Sequence, residues 1–276
     1  MESARVFVGL KPPEAVSQLI VRYQKNLQEA ILDRGSSINL LGGKQSSFVR
    51  WTAQDSLHLT LHFIGSVSRE VLDSLRWKFR EKVYQIKPFK VTLGSMGFLP
   101  KNRKNMRVVY LSVLDPEKNL DSLAARIRSC VLEQFGLANE SAVVVDSDIS
   151  SSAVSQADIK QSEVLPSLDQ QTALSERKQE NVSFYETLDK LKKSHPFLKG
   201  SDSPFLPHIT LGRLERTAKR EERDYLASVI SKTSLLNEPS LHIGNTIEWE
   251  VKSFVFYESV QEDGHSQYKI LEEFYF

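Results

Sequence analysis

His58-Leu59-Thr60-Leu61 and His208-Ile209-Thr210-Leu211 are one phrase, His-x-Thr-Leu, written twice far apart in the chain. A strand turns successive side chains to opposite faces, so each copy sets an imidazole and a hydroxyl on one face and Leu or Ile on the other. Imidazole moves protons near neutral pH, and a hydroxyl donates to an anion. Such a pair, supplied twice, suits a reaction that must both activate water and protonate a leaving group. The duplication therefore points to phosphoester chemistry.

The surrounding chain bounds that reading. At 276 residues with 40% apolar content, a folded protein with a substantial core is expected. The net charge of +1 provides no global field for nucleic acid, so any RNA contact must rest on local patches. Two candidates are Lys101-Asn102-Arg103-Lys104-Asn105-Met106-Arg107 and the group Arg213, Arg216, Lys219, Arg220. The single cysteine, Cys130, excludes an intramolecular disulfide and reads as core filler on a helix face. Arg5 to Leu10 is too short an apolar run for a signal segment, and no window approaches a membrane span. A cytoplasmic protein without membrane contact is expected. No large apolar helix face is left over, which favours a monomer. There is no phosphate-binding Gly-rich loop, no paired-cysteine zinc spacing and no Gly-x-Ser-x-Gly elbow, which disfavours nucleoside triphosphatases and serine hydrolases.

Periodicity supplies the elements around the motifs. Val6–Leu10 reads as a strand, and Val16, Leu19, Ile20, Tyr23, Leu27 and Ile31 mark a helix opened by Pro13. Ser36–Gln45 reads as a Gly-bearing loop. Leu57–Ile64 alternates as a half-buried strand ending at Gly65, followed by a helix capped by Ser68. Phe89–Leu99 and Arg107–Leu114 read as strands joined across the basic loop, and Pro116–Phe135 as a helix. Strand, helix, strand, strand, helix predicts an α+β lobe, whose grammar the second half repeats loosely with a motif strand at Leu206–Arg213, a helix at Ala218–Ser231 and strands over Leu241–Val260 and Gln267–Phe276. Between them, residues 139–203 are polar and Ser-rich and read as a long insertion, flexible or lid-like, with a short helix near Phe184, Leu188 and Leu191.

Two residues stand out against strict alternation. Parity places Arg213 on the apolar side with Ile209 and Leu211, so the strand must twist or end there, or the guanidinium must have a partner, for which a phosphate is well suited. His62 falls on the same expected face as His58 and Thr60 and reads as a bystander. His195, His242 and His265 read as structural or exposed. Trp51, Phe98 and Tyr257 are candidates to stack a nucleobase, although strand aromatics are mostly core.

The doubled motif resembles the two-histidine phosphoesterases, and its surroundings resemble one branch, the RNA 2′,3′-cyclic phosphodiesterases also called 2′-5′ RNA ligases. The matching segments, in order, are Arg5–Leu10, Trp51 with Leu57–Gly65, Gly97-Phe98-Leu99-Pro100, Pro207–Arg213, and Ser253–Ser259 with Tyr268. The resemblance implies a bilobal α+β fold with pseudo-twofold antiparallel sheets around a central cleft and helices outside, one domain over 1–276 interrupted by the 139–203 insertion. It implies opening of an RNA-terminal 2′,3′-cyclic phosphate to a 2′-phosphate without metal or other cofactor, with a slow reverse 2′-5′ joining. By the same resemblance His58 is the acid that protonates the leaving 3′ oxygen and His208 the base that activates water, while Thr60, Thr210 and Arg213 hold the phosphate. The insertion, absent from the usual member, leaves two alternatives open: a related phosphodiesterase for small cyclic nucleotides or 2′-5′ linkages, and a non-catalytic module that binds nucleotide or RNA.

Overall fold

The computed structural model describes residues 3–35, 48–83, 86–136, 205–232, 247–262 and 265–276. The expected loop at 36–45, the 139–203 insertion with its short helix, and His195 and His242 lie outside the described residues. The elements in chain order are β1 (Ser3–Leu10), α1 (Glu14–Gly35), β2 (Val49–Trp51), β3 (Leu59–Ser68), α2 (Arg69–Val83), β4 (Phe89–Leu99), β5 (Val108–Leu114), α3 (Asn119–Gln134), β6 (His208–Leu214), α4 (Arg220–Lys232), β7 (Glu248–Val251), β8 (Ser253–Glu262) and β9 (His265–Tyr275). The α+β class is as expected.

Each helix forms where apolar residues recur at helical spacing and a cap is at hand. In α2 the buried stripe is Leu72, Leu75, Phe79 and Val83, and the Val71 amide donates to Ser68 Oγ at 3.5 Å. In α3 it is Leu120, Leu123, Ala124, Ile127, Cys130 and Val131. Cys130 is thus core filler, with burial pushing its thiol pKa up. Phe79 anchors the core edge-on against Phe254, Phe256 and Phe274, with centroids 5.5–5.7 Å apart.

The strands form one antiparallel sheet in the order β7-β4-β5-β6-β3-β1-β8-β9, with β2 on β6. The two motif strands are neighbours at its centre, joined through the pair Leu59 and Ile209. One side of this seam holds β3, β1, β8 and β9, against which α2 and α3 pack; the other holds β6, β5, β4, β7 and β2, where α4 lies against β4 and α1 against α4. The halves are therefore interleaved, and the run from Val6 to Phe135 does not make one lobe. Alternation fixes which face a strand buries but not which strand it pairs with, so β4 and β5 join the second motif and β8 and β9 return to the first. Nor does β3 end at Gly65, which takes φ +91° and lets the strand run on to Ser68.

Candidate active site

Carrying the Leu59–Ile209 register one residue each way sets His58 opposite Thr210 and Thr60 opposite His208, all on one face. The four motif side chains thus form a quadrilateral with the imidazoles on its diagonal. Both rings are held alike. His58 Nδ1–H donates to the Ser56 carbonyl at 2.8 Å and His208 Nδ1–H to the Leu206 carbonyl at 2.7 Å. A carbonyl oxygen only accepts, so each Nδ1 carries hydrogen and each Nε2 keeps a lone pair for chemistry. Thr60 and Thr210 are half-buried, and neither hydroxyl has a partner among the described residues.

The surroundings of the two rings differ. His58 is enclosed by aromatic rings: Phe7 at 4.8 Å, Tyr268 edge-on at 4.8 Å and Tyr257 at 5.8 Å. Burial lowers its pKa to about 4, and the positive charges of Arg213 and His208 push the same way against its backbone hydrogen bond. Both charges therefore lie within electrostatic reach of His58. Among the described residues, His208 meets Tyr110 edge-on at 5.3 Å. The Tyr110 ring lies so close across Gly97 that a Cβ there would stand 2.6 Å from it, which accounts for the glycine of the Gly97–Pro100 segment. A Cβ on Gly9 would likewise stand 2.8 Å from the Leu59 carbonyl and 3.6 Å from the His58 ring.

Arg213 is not on the apolar side. Tyr110 pairs with Thr210 but Val109 pairs with Gly212, so Leu211 is an extra residue, a β-bulge. One extra residue reverses parity, and Arg213 emerges exposed on the face of His208 and Thr210. The bulge is clamped from α1: Gln24 Nε2 donates to the carbonyls of Leu211 and Thr52, each at 2.8 Å, and the Thr52 amide donates to Leu211 at 2.9 Å. Gln24 is 4% exposed, a buried polar group in an apolar stripe.

The first motif bulges at the same point. Val8 pairs with His62 and Gly9 with Thr60, leaving Leu61 extra. His62 is therefore turned off the His58 face to the helix side, where burial and the Arg128 charge from α3 lower its pKa to about 4. The expected shared face is corrected. Phe63 takes the place that parity denied it. It pairs with Phe7, is 36% exposed, and carries the Arg5 guanidinium 4.9 Å over its ring. Of the stacking candidates, Tyr257 is buried at 4%, and Trp51 and Phe98 are half-buried. Alternation alone gave no sign of Phe63 or Gln24. Among the described residues, no group of three or more His, Cys, Asp or Glu side chains could hold a metal, and no helix is long and apolar enough to cross a membrane.

Comparison with known proteins adds a likeness. A family model described as LigT like phosphoesterase matches residues 40–110, which contain the first motif. An RNA 2′,3′-cyclic phosphodiesterase of Methanothermobacter thermautotrophicus is 29% identical over 92 residues, 33% of this chain and 50% of that protein. The chain thus spans about half the length of that curated relative. The chain is similar to LigT-like phosphoesterases over residues 40–110. The fold alone extends the likeness over nearly all of the chain's length. TT0787 of Thermus thermophilus superposes with a TM-score of 0.56 at 19% identity, covering 98% of this chain and 97% of that one. LigT of E. coli complexed with 3′-AMP gives 0.51 at 18%, covering 99% and 98%.

Proposed function

We propose that this phosphoesterase opens RNA-terminal 2′,3′-cyclic phosphates to 2′-phosphates by paired-histidine acid–base catalysis without a metal. The observation that supports this best is the diagonal of two imidazoles, each fixed with Nε2 available, flanked by two threonine hydroxyls and one guanidinium. Water attacks phosphorus while one Nε2 takes its proton. The phosphorus–O3′ bond breaks, and the other imidazole gives its proton to that oxygen, leaving a 3′-hydroxyl and a 2′-phosphate. Thr60, Thr210 and Arg213 donate to the non-bridging oxygens, where charge develops. Attack by a 5′-hydroxyl in place of water, through the same steps, gives 2′-5′ joining. The chain acts as one cytoplasmic, monomeric phosphoesterase domain interrupted over 139–203.

The resemblance makes His58 the acid and His208 the base. One observation favours the exchange of roles: burial and the neighbouring charges keep His58 neutral above about pH 4, the form that accepts a proton. In the first reading the substrate's phosphate anion restores the His58 proton on binding; in the second no restoration is needed. A substrate with an activated leaving group separates the two, because it rescues loss of the acid but not of the base.

Protein treated with EDTA and given an oligonucleotide ending in a 2′,3′-cyclic phosphate yields a 2′-phosphate. His58→Ala and His208→Ala each lose on the order of 10²–10⁴-fold in rate. Chelator-sensitive turnover, a 3′-phosphate product, or full activity in either variant overturns the proposal. Binding of the oligonucleotide without turnover by the wild-type chain would leave the non-catalytic module.

A further inference from the structure

The two basic stretches that are distant in the sequence meet in the fold. Between β4 and β5 the chain makes a single-turn 3-10 helix, Arg103–Asn105, which packs against α4. The Leu214 amide donates to the Arg107 carbonyl at 2.9 Å, and Val108 pairs with Arg213. Lys101, Arg103, Lys104 and Arg107 therefore stand beside Arg213 and Arg216, all exposed.

This array is built to hold its shape. Asn102 Oδ1 accepts from the Lys104 amide at 3.0 Å, the Asn105 amide donates to the Asn102 carbonyl at 3.0 Å, and the Arg107 amide donates to Leu99 at 2.8 Å. Met106, 0% exposed, pins the loop into the core beneath. Among the described residues none of these six cations forms an ion pair, whereas Arg220 beyond them is matched by Asp224 at 3.6 Å. A solvated loop needs no buried anchor, and like charges held together without counterions repel one another. Both features make sense if a polyanion completes the surface.

The ridge begins at Arg213, on the sheet face that carries His58, His208 and Thr210, so the polyanion it fits continues from the reacting phosphate. Resting on the proposed function, we infer that this ridge is a binding track for the phosphate backbone of a single RNA strand, upstream of its cyclic end, and that it makes the enzyme prefer oligonucleotides to mononucleotides. The loop is the part of the track that touches no reacting group.

The test uses the full chain with Lys101→Glu, Arg103→Glu and Lys104→Glu combined, and a second variant with Gln at the same three positions. Wild type and variants are compared on a cyclic mononucleotide and on a decanucleotide ending in a 2′,3′-cyclic phosphate. The reversal variant is expected to lose on the order of tenfold or more in kcat/KM on the decanucleotide, the Gln variant less. The slope of log kcat/KM against log salt should fall by about 2 in the reversal variant, since each single-strand phosphate contact contributes about 0.7. Activity on the mononucleotide stays within about twofold, as befits positions away from the chemistry. Equal losses on both substrates, or no loss on the decanucleotide, overturn the track. If wild type turns over neither substrate the proposed reaction fails, and fluorescence anisotropy with a labelled decanucleotide bearing a 2′-phosphate decides the track alone: wild-type binding weakened by the reversal supports it, and binding equal in all variants, or absent, overturns it.

Discussion

Arg213 and Phe63 occupy matching places in the two motif strands, each beyond its threonine with one residue bulged out between, at Leu211 and at Leu61. The histidine and threonine of each motif repeat faithfully, but this next position does not. On β6 it offers a guanidinium; on β3 it offers a phenyl ring under Arg5. The doubled pattern is thereby polarised, with a guanidinium on one side of the seam and an aromatic ring on the other.

Arg213→Ala should lower kcat/KM by about 10- to 150-fold, the equivalent of a charged hydrogen bond worth about 1.5–3 kcal/mol. Arg213→Lys keeps the charge but not the two-pronged fork, so it should recover part of the loss. Since the Arg213 charge lowers the His58 pKa, its removal should raise that pKa in an NMR titration of the imidazole. A variant matching wild type in both measurements would remove Arg213 from the site.

Gln24 holds the Leu211 bulge that turns Arg213 onto the His58 face. Gln24→Met leaves the carbonyls of Leu211 and Thr52 without its amide, a loss on the order of 1–3 kcal/mol in stability. A purely structural role predicts the same fold-loss of activity in any background. If Gln24 acts through the bulge, Gln24→Met lowers kcat/KM in the wild-type chain but has little further effect on Arg213→Ala, while its cost in denaturant midpoint is the same in both.

The pH dependence of stability follows from two half-buried imidazoles. His58 and His62 each hold a proton less tightly in the native chain, near pKa 4, than at the unfolded value of 6.5. The unfolded chain binds more protons between those values, so stability is full above about pH 6.5 and is lost as pH falls toward 4. Both rings keep some solvent contact, so the loss is below about 3 kcal/mol for each. Thermal melts from pH 7.5 to 4 should show the decline, and His62→Leu should flatten it. Because the Leu61 bulge turns His62 to the helix side, the same variant should keep wild-type kcat/KM; a large loss would put His62 back among the working groups.

Much of this architecture was legible in the sequence. Alternation gave the motif strands and the faces of His58, Thr60, His208 and Thr210, and helical spacing gave all four described helices. Strand order was not legible, because β8 and β9 carry apolar patterns that fit beside either motif strand. The bulges were not legible either. Which residue is extra is decided by the pairing partner and, at Leu211, by an amide from α1 that is remote in the sequence. One trace did show: an arginine that parity put on an apolar face. His62 left no such trace, since an imidazole suits both faces, and Phe63 read as ordinary strand core.

Phe63 gives the last prediction. Its pairing with Phe7 sets it on the His58 face, and 36% exposure beneath a guanidinium is unusual for a phenyl ring that merely fills core. A flat group bound beside the phosphate would lie against it, and a nucleobase is the flat group that a ribose cyclic phosphate carries. Base–aromatic stacking contributes about 1–3 kcal/mol, so Phe63→Ala should raise KM about 5- to 150-fold for a nucleoside cyclic phosphate, with kcat little changed. Phe63→Trp should retain tight binding. The decisive control is a cyclic phosphate of ribose without a base: if the ring serves as a shelf for the base, Phe63→Ala and wild type handle that substrate alike, and if Phe63 only supports β3, both substrates suffer together.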